Sequence, residues 1–279
     1  MNRKVVLITG TSSGFGLLTS VALLREGYYV VATMRDLTKQ TALKQAVREA
    51  GLSLADMEIQ PLDVTSEASI QSVVDDVLGR LGQIDVLINN AGYAHGGFIE
   101  EISMQEYREQ FETNFFGAVA MTKAVLPSMR ERRRGKIVMI SSISGRFGFP
   151  GMSPYTSSKY ALEGFSESLR HEMRPFGVQV VLVEPASYRT AIWAKGIERG
   201  GEIVDDSPYA PAMKKMARYA EAMDQRGSDP REVITLISRV LREREPALRH
   251  PIGKGLRPLL LLLKFLPQRM VDKMVAKRM

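Results

Sequence analysis

The sequence predicts an α/β protein: a doubly wound parallel sheet of Rossmann type, in a single domain with a helical C-terminal extension. Three observations carry this. Short runs rich in valine and isoleucine alternate with longer amphipathic segments from residue 5 to residue 184. Several of the short runs are apolar throughout, as strands buried on both faces of a parallel sheet are. A glycine-rich turn, Gly10-Thr11-Ser12-Ser13-Gly14-Phe15-Gly16, joins the first such run to the first amphipathic one. Strand–helix alternation with right-handed crossovers places helices on both faces of one sheet.

In chain order, strands are expected over 5–9, 28–33, 58–62, 84–88, 136–141 and 178–184. Helices are expected over 14–26, 38–50, 66–81, 103–131 and 155–174. No break in composition divides the chain before about residue 253. The expected units are therefore 1–253, with a lid at about 187–228, and a basic amphipathic extension over 254–279. The 279 residues are 44% hydrophobic and 25% charged, which excludes wholesale disorder and a collagen-like fibre. No cysteine is present, so disulfides, zinc–thiolate sites and cysteine nucleophiles are excluded. No run of about 18 apolar residues predicts a membrane-spanning helix. The apolar run at 5–8 is too short for a signal-peptide core. The expected location is cytoplasmic, with the tail as a route to membrane association.

The glycine turn has the chemistry of a phosphate cradle. Glycines allow backbone to approach a pyrophosphate, and the following helix offers free N–H groups and a positive dipole end. The spacing Gly-x-x-x-Gly-x-Gly is neither the commoner dinucleotide fingerprint nor a Walker loop. At the end of the second strand, Met34 stands where an acid would accept a ribose hydroxyl, and Arg35 follows. This favours NADP over NAD, with Arg35 on the 2′-phosphate. On the other reading, Arg35 is a solvated charge and Asp36 caps the next helix.

Tyr155 and Lys159 lie one helical turn apart on one face. A neighbouring ammonium favours phenolate, which makes Tyr155 a candidate general acid/base. Ser142 ends the fifth strand, so Ser142, Tyr155 and the glycine turn would meet at the carboxyl edge of the sheet.

These motifs together resemble the short-chain dehydrogenase/reductase family, over about residues 3 to 253. Thr9-Gly10-x-x-x-Gly14-x-Gly16, Asp63-Val64, Asn89-Asn90-Ala91-Gly92, Asn114, Ser142, Tyr155-x-x-x-Lys159 and Arg249-His250-Pro251-Ile252-Gly253 carry the resemblance. Within the family the chain resembles the 17β-hydroxysteroid and retinol dehydrogenase branch. The resemblance implies hydride transfer between a nicotinamide and an alcohol or carbonyl compound. Tyr155 would be the acid/base, and Ser142 would hydrogen-bond the substrate oxygen. Lys159 would lower the Tyr155 pKa and hold the nicotinamide ribose, while Asn114 would hold a relay water. Gly10, Ser12, Ser13, Gly14, Phe15, Gly16, Asn90, Ala91, Gly92, Pro185 and Thr190 would bind cofactor, and Asp63 and Val64 would face the adenine. A homodimer or homotetramer through 103–131 and 155–174 is implied. Asn89 is read either as a cleft residue or as structural.

One departure stands out: Pro185-Ala186-Ser187-Tyr188 replaces the family's Pro-Gly and small residues. Tyr188 is expected to bring bulk where the carboxamide docks. A non-catalytic nucleotide sensor is the competing reading, which the Ser142–Tyr155–Lys159 set opposes.

Trp193, Met213, Met216 and Met223 suggest an apolar lid for a lipophilic substrate, as do Phe147, Phe149 and Met152. The methionines can equally be the inner face of a lid helix. His95 either lines the cleft or is solvated, His171 is expected to be structural, and no metal set is expected. The net charge is +7. Arg130 to Lys136 is expected to close a long helix at its negative dipole end. Residues 251–279 hold seven cations against Asp272 alone. Such a segment suits an anionic membrane, or else packs on the cleft or a partner subunit. No nucleic-acid role is expected.

Overall fold

The computed structural model describes residues 3–190, 192, 196, 206–267 and 269–272. Seven parallel strands form one sheet: β1 (Val5–Ile8), β2 (Tyr29–Met34), β3 (Met57–Pro61), β4 (Val86–Asn89), β5 (Gly135–Ile140), β6 (Val178–Pro185) and β7 (Arg249–Ile252). Their order is β3-β2-β1-β4-β5-β6-β7. The order reverses between β1 and β4, where Ile8 pairs with Ala32 on one side and Ile88 on the other. A crevice at such a switch point is where open α/β sheets bind ligands.

The central strands are largely apolar because alternate residues face two cores. Val5 and Leu7 join one apolar cluster and Val6 and Ile8 the other. The first core is closed by α3 (Glu67–Leu81), α5 (Gly117–Glu131) and α6 (Ser153–Met173). The second is closed by α1 (Gly14–Arg25), α2 (Gln40–Glu49) and α8 (Arg231–Arg242), with α4 (Met104–Phe111) and α7 (Ala210–Arg226) lying outside these layers. Predicted and observed bounds differ by a residue or two.

Three features go beyond the sequence reading. The helix α8 was not among the expected elements. Its Val233, Leu236, Ile237, Val240 and Leu241 form one buried stripe at helical spacing. The predicted helix 103–131 is α4 and α5 joined by a π-helical turn, Glu112–Phe116. The basic run at 130–136 does not simply close α5. Arg132 donates to the Ile84 carbonyl at 2.6 Å, and Arg133 to the Pro175 carbonyl at 2.6 Å. Lys136 is buried in β5, and its Nζ caps the last carbonyls of α8, with Val240, Leu241 and Glu243 at 2.8–3.1 Å. The cation does serve a helix C-terminus, but one more than a hundred residues away in sequence.

The segment proposed as a lid leaves and rejoins the body at one point. Tyr188 and Ser228 form a parallel bridge, and Arg189 N–H donates to the Ser228 carbonyl at 3.1 Å. Beyond β7, α9 (Leu256–Phe265) begins the C-terminal extension. Among the described residues, no helix is long and apolar enough to cross a membrane.

Candidate active site

The glycine turn is built on backbone contacts that side chains would block. Gly10 and Gly14 have φ of +71° and +58°, in the left-handed region that favours glycine. A Cβ on Gly16 would run into the Gly10 carbonyl and the Asn90 amide, and one on Gly10 would lie 2.8 Å from Ala91 Cα. Asn90 braces the turn by donating from Nδ2 to the Thr9 and Gly10 carbonyls, both at 2.9 Å. The Thr9 hydroxyl accepts the N–H groups of Asn90 and Ala91 at 3.0 and 2.9 Å. This use of Thr9 and Asn90 locks β1 to β4 beneath the turn.

The first turn of α1 has no side-chain cap and no acidic residue. Its N–H groups and dipole therefore suit an anion. Ser12 is half-buried and Ser13 exposed in this turn. Thr190 lies beside it, its Cβ 4.0 Å from where a Gly14 side chain would begin. The cradle fits a dinucleotide pyrophosphate: glycine where backbone must approach, and an uncapped helix start.

Arg35 is exposed just beyond β2. Asp36, also exposed, caps the short 3-10 turn Leu37–Lys39 that follows. Its Oδ1 accepts from the Thr38 backbone at 3.0 Å and hydroxyl at 2.6 Å, as the capping reading had it. Asp63 similarly accepts from Thr65 N–H at 2.9 Å, and Val64 packs under Gly117. Pro185 is buried at the end of β6.

Asn114 lies in the π-turn and is buried. Its Oδ1 accepts from Tyr93 N–H at 3.0 Å, and its Nδ2 donates to the Tyr93 carbonyl at 2.9 Å and to Ser158 Oγ at 3.3 Å. Gly92 allows this approach, since its Cβ would lie 3.0 Å from Asn114 Oδ1. The π-turn thus aims one amide at both the chain after β4 and α6, the helix that bears Tyr155 and Lys159. Asn89 is structural: its Nδ2 donates to Thr122 Oγ1 at 3.1 Å, between β4 and α5.

Ser142, Tyr155 and Lys159 come together at the carboxyl edge of β5, and all three are buried. Ser142 caps a short 3-10 turn, Ile143–Gly145, by accepting from Ser144 N–H at 3.1 Å. Lys159 Nζ donates to the Ile140 carbonyl at 2.8 Å and stands 5.7 Å from the centroid of the Tyr155 ring. Burial pushes the Tyr155 phenol up to about 12, against an opposing hydrogen bond from Ser142. This reverses the expected direction. Burial also pushes Lys159 down to about 8, partly opposed by Glu163. In this structure burial is the larger influence on the phenol and the Ser142 hydrogen bond the smaller.

The apolar wall lies beside Tyr155. Ala94, Met152 and Tyr155 form a cluster against which Phe149, Ile192 and Met216 pack. Met216 lies over Gly151, bringing α7 onto the site, and Met213 is buried on the same helix. The rings of Phe147 and Phe149 are 4.7 Å apart. Trp193 and the Met223 side chain fall outside the described residues. His95 is buried rather than solvated, and its N–H donates to Gln110 Oε1 at 2.7 Å. His171 is exposed on α6. Among the described residues, no group of three His, Asp or Glu side chains could hold a metal ion.

Tyr188 is packed into the body of the protein, between α1 and α8. Its ring is 2% exposed and meets Phe15 edge-on at 5.9 Å. Its hydroxyl donates to Glu232 Oε2 at 3.1 Å on α8. Phe15, expected at the cofactor, thus also serves packing. Ala186 is accommodated by Gly253, which has φ +151° and whose Cβ would sit 2.5 Å from that of Ala186. The missing glycine of one strand end is supplied by the neighbouring one.

A parallel switch-point crevice with a glycine cradle defines a Rossmann-type nucleotide-binding protein. A family model for short chain dehydrogenase matches residues 4–199, and the chain belongs to the short-chain dehydrogenase/reductase family of oxidoreductases. An uncharacterised oxidoreductase of Bacillus subtilis is 43% identical over 100% of this chain and 99% of its own length. Retinol dehydrogenase 8 of Bos taurus is 38% identical over 93% of this chain and 84% of its own. The 17-beta-hydroxysteroid dehydrogenase type 1 of Mus musculus is 34% identical over 90% and 74%.

Among solved structures, a short-chain dehydrogenase from Streptomyces avermitilis superposes with a TM-score of 0.80 at 34% identity, covering 99% of this chain and 96% of its own. An actinorhodin polyketide ketoreductase variant with NADPH gives 0.78 at 30%, covering 91% and 97%. A Burkholderia phymatum member in complex with NAD gives 0.80 at 25%, covering 98% and 95%.

The Tyr188 placement is testable. Tyr188→Phe is expected to lower stability by about 1 kcal/mol and to leave cofactor dissociation constants within about twofold, measured by denaturant unfolding and fluorescence titration. A tenfold-scale loss of cofactor affinity would instead put the Tyr188 hydroxyl at the cofactor.

Proposed function

We propose that this oxidoreductase reduces a lipophilic carbonyl compound with NADPH, Tyr155 donating the proton. The observation that carries the reading is the burial of Ser142, Tyr155 and Lys159 together beside an apolar wall. A phenol held near 12 is protonated at neutral pH, which suits it to give a proton to a developing alkoxide. The Ser142 hydroxyl would donate to the same oxygen and stabilise its charge. Lys159, its ammonium fixed under the ring, would orient the cofactor ribose, and Asn114 would hold a water leading toward it. The bound nicotinamide supplies the hydride. Gly10, Gly14 and Gly16 would admit the pyrophosphate, with Asn90 and Gly92 lining the cleft and Asp63 on the adenine side.

Two observations support NADP over NAD. Arg35 is exposed where the 2′-phosphate would lie, and Asp36 is engaged in its own turn. The lipophilic class is supported by Phe149, Met152 and Met216, and by relatives named for retinol and a hydroxysteroid.

The helices α4, α5 and α6 carry exposed Met104, Phe116 and Tyr160 at or between them, which supports a homodimer or homotetramer through these faces. On and beyond α9, Leu261, Leu262, Phe265 and Met270 are exposed among the cations of the tail, which supports peripheral contact with an anionic membrane.

Tyr155→Phe is expected to lower kcat by a factor on the order of 1000 on any accepted carbonyl compound while NADPH still binds. Full activity in that variant would end the mechanism. Arg35→Ala should weaken NADPH binding by about 10- to 100-fold and change NADH binding by less than about threefold. Equal effects on both cofactors would remove Arg35 from the phosphate. Light scattering of the chain, alone and with vesicles, tests both surfaces. The expected result is two or four chains in buffer, and salt-sensitive adsorption to phosphatidylglycerol but not phosphatidylcholine vesicles. A monomer, or adsorption indifferent to lipid charge, would contradict the corresponding surface.

A further inference from the structure

The loop bearing Ser142 is tied to α6 by more than the catalytic residues. Ile140, just before it, accepts from Lys159 Nζ at 2.8 Å. Ser141 Oγ donates to Glu163 Oε1 at 2.6 Å. At the far end, a Cβ on Gly145 would lie 2.9 Å from Glu163 Cγ and 3.1 Å from the Lys159 carbonyl. Glu163 therefore touches the loop on both sides of Ser142. It also lies one helical turn beyond Lys159, on the same face.

Behind Glu163 stands a partly buried ionic cluster that the proposed chemistry does not use. Arg249 on β7 donates from Nε to Glu163 Oε2 at 3.0 Å and from its other nitrogen to Glu167 at 2.9 Å. Arg249 Nε is 3.6 Å from Glu184 Oε1 on β6, and Arg146 reaches the same oxygen at 3.2 Å. Glu184 is completely buried, and its Oε2 has no hydrogen-bond partner. The groups facing Glu163 are thus Lys159 and Glu167 on α6, Ser141 just after β5, Arg146 in the loop, Glu184 on β6 and Arg249 on β7. Both Glu163 oxygens therefore accept, one from Ser141 and the other from Arg249. The second carboxyl, Glu184, is pushed up to about 7 by burial and by the nearby Glu163 charge. Like charges held close together repel, which disfavours the charged form of Glu184.

We propose that Glu163 is the positioning residue of the site: it holds the Ser142 loop against α6 and balances the Lys159 ammonium, with Arg249 and Glu184 fixing its orientation. This rests on the reading that Ser142, Tyr155 and Lys159 perform the chemistry. A carboxylate so placed favours the charged lysine, so its removal makes Lys159 lose its proton at lower pH.

The test uses Glu163→Gln and Glu163→Asp in the full chain, with two readouts. The first is the pH profile of kcat/KM for carbonyl reduction. Glu163→Gln should lower kcat/KM at neutral pH by about 10- to 100-fold, with NADPH affinity within about twofold. It should also move the alkaline limb to lower pH. Glu163→Asp keeps the charge and should return the limb toward the wild-type position. The second readout needs no turnover: the Lys159 Cε resonance in protein carrying 13C-labelled lysine, assigned by its loss in Lys159→Met. Its midpoint should fall in Glu163→Gln and recover in Glu163→Asp. A uniform drop in rate with an unmoved limb and an unmoved Lys159 midpoint would overturn the proposal, because a purely structural residue gives that result. Undiminished activity of Tyr155→Phe would instead overturn the catalytic reading and leave the Lys159 titration as the separate measure of Glu163.

Discussion

The structure depends on a contact of backbone with backbone where the strand order reverses. Gly16 lies against the Gly10 carbonyl and the Asn90 amide, and Gly10 lies against Ala91. No side chain fits there, so α1 can begin directly over the ends of β1 and β4. That placement brings the helix N-terminus to the sheet edge. It also delivers Gly92 to the π-turn, where Asn114 takes hold of Tyr93 and reaches Ser158 on α6. A continuous run of short polar contacts therefore joins the glycine turn to α6. Moving any one of its members would misalign the others.

The electrostatics of the site follow from how deeply that run is buried. Taking Tyr155 and Lys159 out of water works against both charged forms. The phenol rises and the ammonium falls, and their 5.7 Å ring-centroid separation does not cancel the effect. Polar protein groups stand in for water around them. The Ile140 carbonyl holds Lys159, and Ser142 holds Tyr155. Such fixed dipoles need no reorganisation when charge develops during a reaction, which is the physical advantage of a buried site over a solvated one.

The last third of the chain shows how departures from a family pattern are absorbed. Ala186 takes the place of a glycine after β6, and Gly253 after β7 makes room for its methyl. Tyr188 takes the place of a small residue and turns away from the cleft into the layer between α1 and α8. From that anchor the lid departs, and at Ser228 it returns. The bulk expected to crowd the cofactor instead fixes the base of the segment that carries Met213 and Met216.

Much of this was legible in the sequence, for identifiable reasons. Periodicity gave the type of the elements from β1 to β6, because a strand alternates faces and a helix repeats every turn. Glycine at 10, 14 and 16 marked positions where only a missing side chain works. The i, i+4 spacing placed Tyr155 and Lys159 together, and Ser142 at a strand end fell to the same edge. These are local properties, and short stretches of chain encode them.

What the tertiary structure alone decided are the partners of long-range groups. Lys136 sits in a run of arginines that reads as a helix terminus, yet it caps a helix far along the chain. Glu163 carries a helical spacing from Lys159, but Ser141, Glu184 and Arg249 meet it only when three strands and a helix assemble. The direction of the Tyr155 shift likewise belongs to burial, a property of the packed whole. Sequence specifies turns and faces because they depend on near neighbours. It leaves buried charges undetermined because their energies depend on everything that displaces water from them.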